Sequence, residues 1–176
     1  MEKIWLKSYP PGVPAEIDYA DYKSVGDLFE KCVKQYADRP AFHCMGKTIS
    51  FADLDRFSAA FGAWAQSKGL AKGARIALMM PNVLQYPVLL YGPLRAGFTV
   101  VNVHPLYPPR ELDHQLNDSR SEAIIVLETF AFTLATVLAK TGVNLIVVHS
   151  TGANRGGANG AFANSARRRA CRRRRS

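Results

Sequence analysis

The stretch ARIALMMPNVLQYPVLLYGPLRAGFTVVNV, residues 74–103, decides the fold. It opens on Arg75–Met80 and closes on Phe98–Val103, two runs that are apolar at successive rather than alternate positions. A strand of that kind needs burial on both faces, as in a parallel sheet covered by helices. Between the runs lies a helix-length segment, with Asn82 as its expected N-cap, Arg95 near its end and Gly97 as its stop. Strand, helix, strand in this order is a βαβ unit, whose crossover is right-handed by default. Pro87 and Pro93 fall inside the helix, where an interior proline costs about 3 kcal/mol. The helix is therefore expected either to kink or to start later than Asn82. Ile76 to Val103 carries a single charge, Arg95, but Pro81, Asn82, Gln85, Pro87, Pro93 and Gly97 interrupt it. It lacks the roughly 18 clean apolar residues of a membrane span, so the buried strand–helix–strand reading is preferred.

The same rhythm continues outward. Pro109 suits a helix first turn and Arg110–Leu116 extends it; Ala123–Leu127 reads as a strand, Phe130–Lys140 as a helix and Asn144–His149 as a strand. On the other side, Ser50 and Asp53 form a capping box. The helix after it has the stripe Leu54, Phe57, Phe61, Trp64 and Ala65, and Gly69 closes it. Ala41–Met45 and Thr48–Phe51 flank Gly46 as a hairpin. Ser24 and Asp27 make a second capping box, followed by Val25, Leu28, Phe29, Cys32, Val33 and Tyr36 at helical spacing. That helix stops before Arg39-Pro40. The first 23 residues read as an extended arm, with Trp5, Leu6 and Tyr9 as anchors onto a larger body. The class predicted is α/β, with parallel βαβ units and an N-terminal arm.

A chain of 176 residues has room for one domain, or for a small domain with a tail. Its 48% hydrophobic and 21% charged residues exclude wholesale disorder. The net charge of +9 sits in residues 151–176, which hold eight Arg and no acid, whereas residues 1–150 are nearly balanced. The predicted organisation is a folded part, 1–150, and a disordered Gly/Ala/Arg-rich tail, 151–176. The tail contains no Leu, Ile or Val. Arg, Ala and Gly have the most GC-rich codons, so a reading-frame slip is the preferred origin of the tail. Gly152 and Gly157 have phosphate-loop spacing, but Ala158 and Asn159 replace the Lys and Ser/Thr that would reach phosphate and magnesium. Arg167–Arg169 and Arg172–Arg175 would bind anionic lipid or nucleic acid without sequence preference.

Other chemistry is sparse. Cys32, Cys44 and Cys171 are an odd number, which fits a reducing compartment. The N-terminus MEKIWLKSYP has no secretory apolar core, which predicts a cytoplasmic chain. His43 and Cys44 are adjacent on a strand and point to opposite faces, and His104 and His114 are separated by a loop. No zinc spacing and no Gly-x-Ser-x-Gly elbow occurs. The candidate functional loop is Asn102-Val103-His104-Pro105-Leu106-Tyr107, which leaves the carboxyl end of an expected parallel strand, where open α/β sheets bind ligands. Against this stands a plain connection stiffened by Pro105, Pro108 and Pro109, with Tyr107 packed beneath, and that plain reading carries more weight.

ALMMPNVLQYPVLLYGPLRAGFTVVNVHPLYPPRELDHQLNDS, residues 77–119, resembles the bacterial long-chain fatty acid–CoA ligases of the adenylate-forming (AMP-binding) superfamily. Trp5–Asp18 and Tyr36–Phe42 resemble the start of the same enzymes, and the likeness covers about residues 3–150. Pro93 stands where an aliphatic residue is usual, and His104 where Asn is common. The resemblance implies joining of a fatty acid to ATP as an acyl-adenylate with release of pyrophosphate, then transfer to the thiol of coenzyme A, with magnesium on the phosphates. It implies a cytoplasmic enzyme, also found held peripherally at the inner membrane, and a homodimer to which the arm Trp5–Asp18 contributes.

The family's phosphate loop, its adenine and ribose motifs and its C-terminal lysine lie beyond the matching region. The resemblance therefore assigns no catalytic, cofactor-binding or metal-binding residue here. ATP, magnesium and CoA belong to the full-length family and not to this chain, which is expected to be inactive alone. The expectation is a fragment of about the first quarter of such a ligase, ended by a frameshift. A gene-model error hiding a full-length ligase is the related reading, and a non-catalytic binding module working through its Arg tail is the alternative. A sheet ending at Asn144–His149 presents an unpaired apolar edge, which predicts marginal stability and aggregation.

Overall fold

A computed structural model describes residues 2–17 and 21–150. The expectations placed on residues 151–176, including the tail's disorder, its Gly-rich loop and its Arg cluster, lie outside the described residues. Among the described residues five α-helices and six strands follow in chain order: α1 Val25–Gln35, β1 Pro40–Cys44, β2 Lys47–Ser50, α2 Phe51–Gln66, β3 Arg75–Met79, α3 Gln85–Arg95, β4 Thr99–Val103, α4 Pro109–Asp118, β5 Ala123–Leu127, α5 Ala131–Val137 and β6 Leu145–His149.

β3 to β6 form one parallel sheet in the order β4-β3-β5-β6. β3 lies in its interior, paired in register with β4 (Ile76↔Val100) and with β5 (Ile76↔Ala123). The chain adds β4 on one side of β3 and then crosses over to add β5 and β6 on the other. Right-handed crossovers in opposite directions put their helices on opposite faces. Strand alternation then divides the core. Ile76, Leu78, Met80, Ala123, Ile125 and Leu127 pack with Leu89 of α3 and Phe61 and Ala65 of α2. Ala77, Met79, Ile124 and Val126 pack with Leu112 and Leu116 of α4 and Leu134 and Val137 of α5. A third cluster, Phe29, Val33, Leu54 and Val88, holds α1 against α2 and α3.

The local signals explain most of the boundaries. The Ser50–Asp53 capping box forms in both directions. At Ser24 the hydroxyl accepts from the Asp27 amide, but the Asp27 carboxylate accepts from the Lys23 amide instead of returning to Ser24, so only half a box forms. The hairpin turns through Met45 and Gly46, both at positive φ, the two-residue geometry that matches strand twist. Helix α3 corrects one expectation: it starts at Gln85, and Asn82 does not cap it. Asn82 lies inside a tight turn closed by the Val83 amide on the Pro81 carbonyl (2.9 Å). With that start Pro87 falls in the first turn, where no amide hydrogen is needed, and only Pro93 is interior. The expected helix 130–140 is α5 flanked by single 3₁₀ turns, Glu128–Phe130 and Leu138–Lys140. In the arm, Ile4–Ser8 is a 3₁₀ turn in which Trp5 and the following Tyr9 are exposed and Leu6 is half-buried.

α2 and α3 cross with their backbones nearly touching. A Cβ on Gly62 would sit 2.8 Å from the Gly92 carbonyl oxygen, and one on Gly92 would sit 3.0 Å from the Ser58 carbonyl oxygen. Beside this crossing, Arg95 donates to the Asp55 carboxylate (2.6 Å), the Asp55 carbonyl (3.0 Å) and the Ser58 hydroxyl (3.1 Å). Its guanidinium also lies over the Phe29 ring, so one side chain ties three helices together. Gly62→Ala is expected to lower stability by about 1–3 kcal/mol, because backbone has to give way. Gly26→Ala meets only ordinary contact, with Ser24 Oγ at 3.6 Å, and is expected to raise stability by about 0.4–1 kcal/mol. Urea titration of both variants checks the opposite signs.

Candidate functional site

All four strands of a parallel sheet end on one edge, and that edge gathers four loops: residues 80–84, 104–108 and 128–130, and Ser150. Ligands of open α/β sheets bind there, where the chain reverses its direction of strand addition. In the order β4-β3-β5-β6 the reversal lies between β3 and β5.

The candidate loop is fixed at its root by Asn102. Its side-chain oxygen accepts from the Tyr86 hydroxyl (2.9 Å) and its carbonyl accepts from Gln115 Nε2 (2.9 Å). Tyr86 belongs to α3 and Gln115 to α4, so the end of β4 is held by helices from the two faces of the sheet. Burial pushes the Tyr86 phenol up, which keeps it a donor. Gln115 Oε1 is buried with no hydrogen-bond partner.

Beyond Asn102 the loop folds on His104. The His104 carbonyl accepts from the Tyr107 amide (3.1 Å), and its Nδ1 accepts from the Leu106 amide (3.2 Å), so the neutral ring carries its proton on Nε2. The His104 and Tyr107 rings face each other at 5.4 Å. Tyr107 is exposed rather than packed beneath, and Leu106 is 74% exposed, which corrects the plain-connection expectation in that detail. His104 and Tyr107 are thus brought together, while His114 stands exposed on α4.

The neighbouring loops add few charges. Cys44 Sγ approaches the Asn82 carbonyl (3.7 Å) and sets the hairpin against the loop after β3. His43 turns the other way, to Thr48 Oγ1 (2.8 Å), as strand alternation requires. Glu128 accepts from the Ser150 hydroxyl (2.8 Å). Burial holds His149 below the usual histidine range, partly opposed by the Glu128 charge.

These groups can orient a ligand through a carboxamide, a phenol, an imidazole and main-chain atoms. In the four loops Glu128 is the one carboxylate and there is no Lys or Arg. Among the described residues no group of three or more His, Cys, Asp or Glu could hold a metal ion. The set does not fit a magnesium–triphosphate or the phosphates of CoA, and no step through them is derived from it. Tyr86 and Gln115 were absent from the sequence expectations. They meet Asn102 only through sheet register and helix placement, and no local motif marks them.

Residues 29–169 match the family described as AMP-binding enzyme. The matched range runs past residue 150, outside the described residues. The chain is 53% identical over 153 residues to a long-chain-fatty-acid–CoA ligase of Escherichia coli O6:H1, covering 86% of this chain and 27% of that protein. It is 51% identical over 163 residues to the one of Yersinia pestis, covering 92% and 29%. A crystal structure of a long-chain-fatty-acid-CoA ligase from Archaeoglobus fulgidus superposes with a TM-score of 0.65 at 25% identity, covering 77% of this chain and 28% of that one. The chain therefore spans about a quarter of the length of the relatives it matches. Among the described residues no helix is long and apolar enough to cross a membrane.

His149 predicts a pH dependence. Its pKa in the folded chain lies below the ordinary 6.5, so below about pH 6.5 the unfolded chain binds a proton that the folded chain resists. The contribution is fully present above pH 6.5 and is lost as pH falls towards the folded value. The urea midpoint is expected to drop more steeply from pH 7 to pH 5 in the parent than in His149→Gln. Equal slopes would remove His149 as the cause.

Proposed function

This chain belongs to the AMP-binding enzyme family, and from that premise we propose that it is the N-terminal part of a long-chain fatty acid–CoA ligase. In this reading the whole enzyme joins a fatty acid to ATP as an acyl-adenylate, releases pyrophosphate and passes the acyl group to CoA. Residues 1–150 supply the first part of the AMP-binding domain. The observation that carries the proposal is the 53% identity over 153 residues to the Escherichia coli ligase.

The contribution of these residues is architectural. Helices α3 and α4 hold the end of β4 through Asn102, and the His104–Tyr107 turn presents its side chains at the ligand-binding edge. The groups that grip ATP, magnesium and CoA belong to the parts of the relatives that this chain does not span, so the 176 residues alone form no acyl-adenylate. A peripheral membrane position and a dimer through the arm remain part of the proposal, by resemblance only.

Two assays test the reading. The 176-residue chain, given palmitate, ATP, magnesium and CoA, is expected to release no pyrophosphate and to form no thioester. A chimera carrying residues 3–150 in place of the matching segment of the Escherichia coli ligase is expected to form palmitoyl-CoA within about an order of magnitude of the parent kcat/KM, a difference of ~1.4 kcal/mol in barrier. A folded chimera inactive on every fatty acid would overturn the family activity. Turnover by the 176 residues alone would overturn the division of labour.

Asn102→Ala in the chimera is expected to lose the Tyr86 hydrogen bond while keeping that of Gln115, which goes to the main-chain carbonyl, and so to cost about 0.5–1.5 kcal/mol of stability. Thermal melting of the chimera with Tyr86→Phe, which removes the same bond from its other end, is expected to show a loss of similar size, and a much larger loss in one variant would show that this bond is not the cause.

A further inference from the structure

Met45 stands where turn chemistry disfavours it. It is the first residue of the two-residue β1–β2 turn, at φ 50°, a conformation that favours glycine and asparagine. Its side chain is carried away from the core and is 88% exposed. The other methionines among the described residues are the reverse case. Met79 (0% exposed) lies in the core beneath α4 and α5, and Met80 (3% exposed) in the core beneath α2 and α3. Cys32 and Cys44 are half-buried, and the Cys44 thiol is directed at the Asn82 carbonyl.

We propose that Met45 is a selective oxidation site, taking one oxygen from a hydroperoxide while the fold persists. In the step a sulfur lone pair attacks the terminal peroxide oxygen; the S–O bond forms and the O–O bond breaks. The sulfur loses two electrons and the peroxide, reduced by two, leaves as water or alcohol after taking a proton. The product is a polar sulfoxide of the kind that methionine sulfoxide reductases reverse. Met45 buries almost nothing, so the change leaves all three apolar clusters intact. It places a new hydrogen-bond acceptor on the residue that follows Cys44, whose thiol approaches the Asn82 carbonyl in the loop after β3. The inference is independent of the proposed ligase activity.

The test treats the 176-residue chain with hydrogen peroxide at mildly acidic pH and follows its proteolytic peptides by mass spectrometry, in buffer and in urea. In buffer Met45 is expected to gain oxygen more than about tenfold faster than Met79 and Met80, because buried residues react only through opening of the structure. In urea the three rates converge. Met45→Leu removes the fast oxygen uptake, and the near-ultraviolet circular dichroism of the parent survives addition of one oxygen. Equal rates in buffer and urea, faster oxidation at Cys32 or Cys44, or loss of the dichroism with the first oxygen would each overturn the proposal.

Discussion

β3 has a helix layer on each face and a parallel strand along each edge. Its residues Ile76–Met79 face no solvent, so they contribute only if both layers are in place. Each apolar side chain buried there is worth about 1.5–3 kcal/mol. That requirement arranges the rest. α2 and α3 cover one face, α4 and α5 the other, and β4 and β5 complete the backbone pairing of β3. The close crossing at Gly62 and Gly92 follows from the same demand, since it lets α2 join the layer that α3 begins.

The parts legible in the sequence were those whose cause is local. Ala123–Leu127 was marked by an unbroken apolar run and is β5 at those limits. The Ser50–Asp53 box and Pro109 marked helix starts because capping and a missing amide hydrogen act within one turn. The start of α3 was misread because Asn82 is a good cap in isolation. The Pro81–Val83 turn and the need to place Pro87 in the first turn together moved the N-cap two residues on, from Asn82 to Leu84.

The candidate site was half legible. A loop leaving a parallel strand pointed to Asn102–Tyr107, since the fold class alone says where ligands lie. The partners that hold it, Tyr86 and Gln115, sit on different helices, and their meeting depends on strand order. His104, which the sequence offered as part of the candidate loop, engages two amides there. That the four loops hold one carboxylate and no Lys or Arg follows from which loops the strand order gathers on one edge.

The strand order also has a kinetic side. Arg75↔Thr99 joins positions separated by one helix, whereas Ile76↔Ala123 joins positions about twice as far apart, across α3, β4 and α4. Loop closure grows costlier with separation, and long-range parallel pairing is slow. These costs favour β3–α3–β4 as the first unit to assemble, which would leave one edge of β3 open until β5 arrives. During that interval the apolar run Ile76–Met79 would be exposed to other molecules, so yield on refolding should fall with protein concentration even where the final fold is sound.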